Sequence, residues 1–232
     1  MAELNDAYQV IPFYIICDES QSMEGSKLDA CNKALPVIHK AIAADPIIND
    51  KVRIGIISFS DSAEVLLPLS KMTDVVDFPG LIVKGGTNYG SAFTCLKQTI
   101  QDDINALKAQ SEFRVNRPIV FFISDGEPTD TNWQAAHAAV ADKTWSFSPH
   151  IIAFGVGGAQ AETIREVATK VDKAGKNFAY LADDNADPGA VLKEIFKSLL
   201  GSIIGSARLA AGGDDGLELP VTGPGFIKLD EV

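Results

Sequence analysis

The sequence predicts an α/β fold, a three-layer α/β/α sandwich in which helices cover both faces of a doubly wound, mostly parallel sheet. Strand and helix patterns alternate along most of the 232 residues, which is typical of parallel sheets with crossover helices. The predicted strands are apolar almost throughout, as expected for strands buried on both faces. The length fits one domain with a single large core. We expect that domain over residues 1–205 and a C-terminal arm or tail over 206–232.

The first part of the chain contains three strands and one long helix. Residues 10–17 form a continuous apolar run, and residues 27–43 follow with apolar positions at helical spacing. Strands are predicted over 52–60 and 63–69. The tight connection SDS (60–62) favours an antiparallel hairpin, and Pro68 suits an edge strand because proline has no N–H to donate.

The remainder continues the alternation and then departs from it. Its predicted elements are a helix over 89–110, a strand over 117–125, a helix over 132–144, a strand over 150–157, a helix over 161–171, a strand over 177–182 and a helix over 188–204. Residues 206–232 contain glycines and prolines without a helical period. Such a segment is compatible with an ordered arm and with a flexible tail.

Composition excludes several classes of partner. The chain carries 31 Asp and Glu against 20 Lys and Arg, a formal charge of -11, so neither nucleic acid nor an anionic membrane surface is an expected partner. Residues 1–10 lack a signal-peptide pattern, and no apolar run approaches the ~20 residues that span a bilayer. Cys17, Cys31 and Cys95 have no CxxC spacing, which favours buried thiols over a disulfide or metal role. A reducing, cytoplasmic location is expected.

Oxygen-bearing side chains follow three of the predicted strands. Asp18, Ser20 and Ser22 lie in the stretch DESQS after the first strand, Thr87 lies in GGTN, and Asp125 lies in SDGEPTD. Because loops at the carboxyl ends of parallel strands gather at one edge of the sheet, we expect these side chains to converge. Two carboxylates and three hydroxyls suit Mg²⁺, with Ca²⁺ or Mn²⁺ as alternatives, and disfavour zinc or copper as the native ion.

A simpler interpretation exists for each loop taken alone. Serine and aspartate are common where strands meet helices, because both cap helix N-termini. A single loop of this kind is therefore better explained as a cap. The occurrence of three such loops at strand ends of one parallel sheet favours a divalent-metal site.

The same residues resemble the motif of the von Willebrand factor A (VWA) domain with a metal-ion-dependent adhesion site (MIDAS). That motif is an Asp-x-Ser-x-Ser run, a Thr from a second loop and an Asp from a third. The resemblance covers about residues 8–204. It implies a Rossmann-like six-stranded sheet of order 3-2-1-4-5-6 with one antiparallel edge strand. It also implies that the three hydroxyls contact the ion while Asp18 and Asp125 bind largely through water.

A narrower resemblance points to the bacterial TerY-like branch, which is associated with tellurite resistance and stress response. It rests on the stretches IPFYIICDESQSMEG, GGTNYGSAF and RPIVFFISDGEPTD and on Trp133. Glu19 and Gln21 depart from the small residues frequent inside the motif, and we expect their side chains to point away from the metal. Partners implied by this branch include kinase-like and phosphatase-like proteins.

These features predict a binding protein and not an enzyme. An ion held mainly by neutral hydroxyls and water keeps much of its charge, so it can attract an Asp or Glu carboxylate of a protein partner. No nucleophile–base pair is evident, and the run DES lacks the second acid used by haloacid-dehalogenase-like phosphatases. The alternatives are a metal-dependent hydrolase or phosphatase, and a structural scaffold with a vestigial metal site.

Two further features have structural explanations. The glycines of GVGG (155–158) lack the spacing of a dinucleotide fingerprint and predict a tight turn. The three histidines, His39, His137 and His150, share no motif. We expect structural or solvated roles for them.

Overall fold

A computed structural model describes residues 8–170, 178–183, 185–213 and 216–229. These residues form a mostly parallel sheet of eight strands and six α-helices that pack against it, which confirms the predicted α/β class. The strands are β1 (Tyr8–Asp18), β2 (Val52–Phe59), β3 (Ala63–Ser70), β4 (Phe113–Val115), β5 (Ile119–Ser124), β6 (His150–Gly155), β7 (Ala179–Ala182) and β8 (Phe226–Lys228). The helices are α1 (Ser26–Ala43), α2 (Pro46–Lys51), α3 (Tyr89–Ala109), α4 (Trp133–Ala141), α5 (Ala161–Val167) and α6 (Pro188–Ala211).

The sheet is built outward from β1. Its strand order is β3-β2-β1-β5-β6-β7-β8, and β4 pairs with the beginning of β1. Strand β1 is parallel to both β2 and β5, so that Ile15 lies opposite Ile56 on one side and Phe121 on the other. The chain order reverses at β1, which places a crevice at the carboxyl ends of β1 and β5.

Alternate residues of β1 contribute to two cores. Phe13, Ile15 and Cys17 belong to the cluster that includes residues of α1 and α6. Tyr14 and Ile16 belong to the opposite cluster, with residues of α3 and α4. Because both faces of β1 are covered by helices, only Tyr8 of the strand is exposed. This double burial explains the uninterrupted apolar run in the sequence.

Two strands and one α-helix are additional to those predicted. Strands β4 and β8 have three residues each, too few to display an alternating pattern. Helix α2 is short, but its start carries a sequence signal, since Asp45 accepts hydrogen bonds from the backbone N–H groups of Ile47 and Ile48 at 3.0 and 3.3 Å ahead of Pro46. Within the described residues, the sheet therefore has eight strands, with an antiparallel strand at each side, where the resemblance implied six strands and one antiparallel edge strand.

The described part of the C-terminal segment is ordered against the domain. Helix α6 continues beyond the predicted end at 204 to Ala211. Strand β8 pairs antiparallel with β7, and the Tyr180 hydroxyl donates to the Pro220 carbonyl at 2.8 Å. The Ser202 hydroxyl donates to the Glu218 carbonyl at 2.5 Å. The ends of two predicted elements, within residues 171–177, lie outside the described residues.

The cysteines are free thiols in different environments. Cys17 and Cys31 are buried, whereas Cys95 is only partly buried. Burial raises the pKa of Cys31 to about 12 and that of Cys17 well above its ordinary value, so both thiols are held in the unreactive protonated form. Within the described ranges, no helix has the length and apolarity required to cross a membrane.

We expect Phe226→Ala to lower the free energy of unfolding by about 3–5 kcal/mol, because its ring is buried against Tyr180 and Phe154. The control is Ile227→Ala in the same strand, whose side chain points outward and is half exposed. Its effect should stay within about 1 kcal/mol. Urea denaturation of the full chain measures both, and equal effects would show that β8 is not docked in solution.

Candidate metal centre

The five predicted site residues lie at the carboxyl edge of the sheet, around the ends of β1 and β5. Asp18 ends β1, and Asp125 directly follows β5. The loop that carries Thr87 is attached to the loop after β1, since the N–H of Gln21 donates to the Gly85 carbonyl at 2.9 Å and the N–H of Lys84 donates to the Glu19 carbonyl at 2.7 Å. Backbone hydrogen bonds therefore bring residues distant in sequence to one place.

Asp18 is the innermost of the five and is completely buried. One carboxylate oxygen accepts from the N–H of Ser20 at 2.8 Å, and the other accepts from the hydroxyl of Ser124 at 2.6 Å. Burial raises the pKa of Asp18 to about 6; these hydrogen bonds lower it and the charge of Asp125 adds to the rise. A positive charge close to the two acids would therefore stabilise the ionised form of Asp18.

Hydroxyls connect the first loop to Asp125. The oxygens of Ser20 and Ser22 are 3.0 Å apart, and the Ser22 hydroxyl donates to the Asp125 carboxylate at 2.6 Å. Ser20 is buried, whereas Ser22 is exposed at the rim. The three oxygens therefore form a continuous hydrogen-bonded line in which the exposed Ser22 bridges the buried Ser20 and Asp125.

Thr87 faces the same space from a second loop. A Cβ added to Gly126 would lie 3.6 Å from the Thr87 hydroxyl and 3.7 Å from that of Ser22, so a glycine at this turn leaves the gap between the two hydroxyls open. Thr129 holds the Thr87 backbone, because its N–H donates to the Thr87 carbonyl at 2.8 Å. The threonine is consequently fixed in position although it lies in a loop.

The glycines before Thr87 serve close packing. Neither Gly85 nor Gly86 has a positive φ, so the conformational freedom of glycine is not required there. The Asp61 carboxylate lies against both: it accepts from the N–H of Gly86 at 2.8 Å, and a Cβ on Gly85 would overlap it. Asp61, in the β2–β3 turn, thereby helps to fix this loop.

Glu19 is buried and points away from the hydroxyls, as expected from alternation along the extended chain. Its carboxylate accepts from the Ser58 hydroxyl at 2.7 Å and from the N–H of Ile82 at 3.1 Å, and it pairs with the Lys84 ammonium at 2.5 Å. It therefore anchors the segment leading to Thr87. This role was not predicted, because its partners are 39 to 65 positions away along the chain and carry no local motif.

Lys27 is a second residue that the sequence interpretation missed. Its ammonium pairs with the second carboxylate oxygen of Asp125, and the two side chains are 15% and 0% exposed. Lys27 lies in the first turn of α1, which begins after Gly25 with a positive φ of 87°. The candidate metal centre therefore contains a cation supplied by the chain itself.

The donor set fits a hard divalent ion. Its members are the two carboxylates and three hydroxyls named above, all of them oxygen donors. Throughout the described parts of the chain, no group of three or more His, Cys, Asp or Glu side chains could hold a metal, so hydroxyls are indispensable to any site here. Both carboxylate oxygens of Asp18 already accept hydrogen bonds from protein donors. Binding the ion through a water molecule therefore suits Asp18 better than direct ligation.

The GVGG turn and two of the three histidines have structural roles. Gly157 and Gly158 have φ values of 58° and 110° and form the tight turn predicted after β6. The ring Nε2 atoms of His39 and His137 each lie 2.9 Å from a backbone carbonyl oxygen. His150 begins β6, at the opposite edge of the sheet from Asp125.

Comparisons with known proteins agree with this fold. The family model described as "von Willebrand factor type A domain" matches residues 13–197. The mouse collagen alpha-5(VI) chain is 25% identical in an alignment of 173 residues that covers 71% of this chain and 6% of the collagen chain. A von Willebrand factor type A structure from Catenulispora acidiphila has a TM-score of 0.58 at 15% identity and covers 85% of this chain and 43% of its own.

A second similar solved structure is described with zinc in its MIDAS motif. It is proximal thread matrix protein 1 from the mussel byssus with a zinc-occupied MIDAS motif, with a TM-score of 0.55 at 14% identity over 86% of this chain and 49% of that chain. At this identity the likeness concerns the fold. The present chain spans less than half of the length of both solved chains.

We expect Asp18→Asn to stabilise the ion-free protein by about 1–3 kcal/mol at pH 7, because it removes a charge that burial disfavours. The Ser124 hydroxyl can turn to accept from the new amide, so the hydrogen bond survives. The folded-state pKa of Asp18, about 6, exceeds its ordinary value of 3.8, so the folded protein binds the proton more tightly and its stability should fall as the pH rises from about 4 to about 6.

Urea denaturation in a chelator, at several pH values, measures this dependence. Asp102→Asn, an exposed acid on α3, is the control for the loss of one negative charge. If wild type and Asp18→Asn keep a constant difference from pH 4 to pH 7, Asp18 does not titrate as described.

Proposed function

Since the chain belongs to the von Willebrand factor type A domain family, we propose that it binds one divalent metal ion and uses it to dock an acidic side chain of a protein partner. The residues that would hold the ion are Asp18, Ser20, Ser22, Thr87 and Asp125. The observation that carries this proposal is the hydrogen-bonded line from Ser20 through Ser22 to Asp125, with the Thr87 hydroxyl facing it across Gly126.

Magnesium is the proposed ion, with Ca²⁺ or Mn²⁺ as alternatives. All five donors are oxygens, which Mg²⁺ prefers, and the two carboxylates match its charge. The mussel protein is described with zinc in its MIDAS motif, so Zn²⁺ belongs in the same titrations as a competitor. When bound, the ion would supply an electrophilic position for a carboxylate oxygen.

We propose binding and not catalysis at this site. An aspartyl nucleophile must reach its substrate, but the Asp18 carboxylate is buried, and both of its oxygens already accept hydrogen bonds from protein donors. This arrangement argues against the hydrolase alternative. Phosphate release from generic phosphate esters that disappears in Asp18→Asn would restore it.

Charge supports an acidic partner. The three hydroxyls would neutralise none of the charge of a bound ion, and if Asp18 and Asp125 bind largely through water, as the resemblance implies, they would quench it only in part. An acidic partner would otherwise be repelled by a chain of formal charge -11. The ion is therefore the feature that makes the approach of an Asp or Glu side chain favourable.

The biological setting is a further part of the proposal. The sequence stretches around Asp18, Thr87 and Asp125, together with Trp133, support the TerY-like branch and with it a role in tellurite resistance or stress response. Kinase-like or phosphatase-like proteins of the same system are the proposed partners. The free thiols of Cys17, Cys31 and Cys95 suit a reducing cytoplasm.

Calorimetric titration with MgCl₂ should show one site in the wild type and none in Asp18→Ala. The apolar core is independent of the site, so the circular dichroism spectrum should be the same with and without chelator. Asp102→Ala, which removes an exposed acid, should bind like the wild type. Retention of the ion by Asp18→Ala would refute the assignment, and an unfolded spectrum in chelator would mean that the ion is structural.

Partner capture from native cytosol should require Mg²⁺ and should weaken about tenfold or more in Thr87→Ala, because this change removes one donor facing the ion. Its melting temperature in chelator should change little. Thr94→Ala, on the exposed face of α3, is the matched control and should capture normally. Equal capture in excess chelator, or by Thr87→Ala, would place the partner elsewhere on the surface.

A further inference from the structure

The ammonium of Lys27 occupies the negative side of the candidate metal centre. It pairs with one oxygen of Asp125, while the other oxygen accepts from the Ser22 hydroxyl. Asp125 is therefore fully engaged without any metal. A metal ion that binds beside Asp125 is therefore repelled by the positive charge of the Lys27 ammonium.

The fold encloses the ion pair between Lys27 and Asp125. The lysine side chain is 15% exposed and the Asp125 side chain is 0% exposed, unlike the exposed ion pairs of this chain, which contribute little. The turn after β6 encloses the amine: a Cβ on Gly157 would lie 3.3 Å from the Lys27 nitrogen and 3.8 Å from the Cβ of Asp125. The positive φ of 58° at Gly157 brings this backbone close.

We propose that Lys27 is a built-in competitor of the metal, one that lowers ion affinity and raises the affinity of the loaded site for a carboxylate. This inference rests on the proposed function. The reason is charge. In formal charge, the carboxylates of Asp18 and Asp125 equal a divalent ion, so without Lys27 the loaded site would carry no net charge, although water between the ion and the carboxylates would leave the ion partly unquenched. With the ammonium, one positive charge remains to attract an acidic side chain.

Lys27→Met keeps the length of the side chain and removes its charge. Because a nearby like charge is removed, we expect Mn²⁺ to bind this variant about five- to tenfold more tightly than wild type by calorimetry. In chelator its melting temperature should fall, since Asp125 loses its buried partner. Added Mn²⁺ should then raise the melting temperature by more than it does in wild type.

Acetate is the probe for the second half of the proposal. Bound Mn²⁺ enhances the relaxation of water protons, and acetate that displaces water from the ion reduces this enhancement. We expect acetate to bind Mn²⁺-loaded Lys27→Met at least about threefold more weakly than loaded wild type. Lys27→Arg, which keeps the charge, and Lys33→Met, an equal charge change at an exposed position of α1, should both resemble wild type in each assay.

The outcomes separate the two proposals. If wild type binds no Mn²⁺, the metal-dependent function fails, and the role of Lys27 fails with it. If wild type binds Mn²⁺ but Lys27→Met binds it equally or more weakly, only the competitor role is overturned. Tighter Mn²⁺ binding with unchanged acetate affinity would overturn the carboxylate half. An unchanged melting temperature in chelator would show that Lys27 and Asp125 do not pair in solution.

Discussion

The parallel pairing of β1 on both of its sides is the constraint on which the rest of the molecule depends. Because β2 and β5 run in the same direction as β1, the loops that follow them open at one edge of the sheet. Because the chain order reverses at β1, the helices that follow β1 and β5 pack on opposite faces of the sheet. A crevice therefore lies between the loops at the carboxyl ends of these two strands. A single buried strand thus determines both the layering of helices and the location of the polar centre.

The centre itself combines two kinds of support. Its inner part is held by the domain, since Asp18 ends a buried strand and accepts from Ser124 of the neighbouring one. Its outer part is held by loops that bond to one another, as Thr87 does with Thr129. Rigid support of this sort keeps the Asp18 carboxylate away from water, and this burial, with a smaller contribution from the charge of Asp125, raises the pKa of Asp18.

The sequence was sufficient for the fold class, the long helices and the buried strands, because double burial and helical spacing leave strong local patterns. It also singled out the five oxygen-bearing residues, which the structure brings to one edge. It could not identify Glu19 or Lys27. Their roles depend on contacts across the chain, 98 residues in the case of Lys27 and Asp125, and a motif written as Asp-x-Ser-x-Ser treats position 19 as unconstrained although it is buried here.

The antiparallel course of β8 determines where the described chain leaves the domain. Strand β8 pairs Phe226 with Ala182 and Lys228 with Tyr180, so it runs back toward the edge at which the parallel strands begin. Tyr8 starts β1 at that same edge. Both exits therefore lie opposite the polar centre. A tether, fusion partner or solid support joined at either exit would hold the domain with its crevice facing outward.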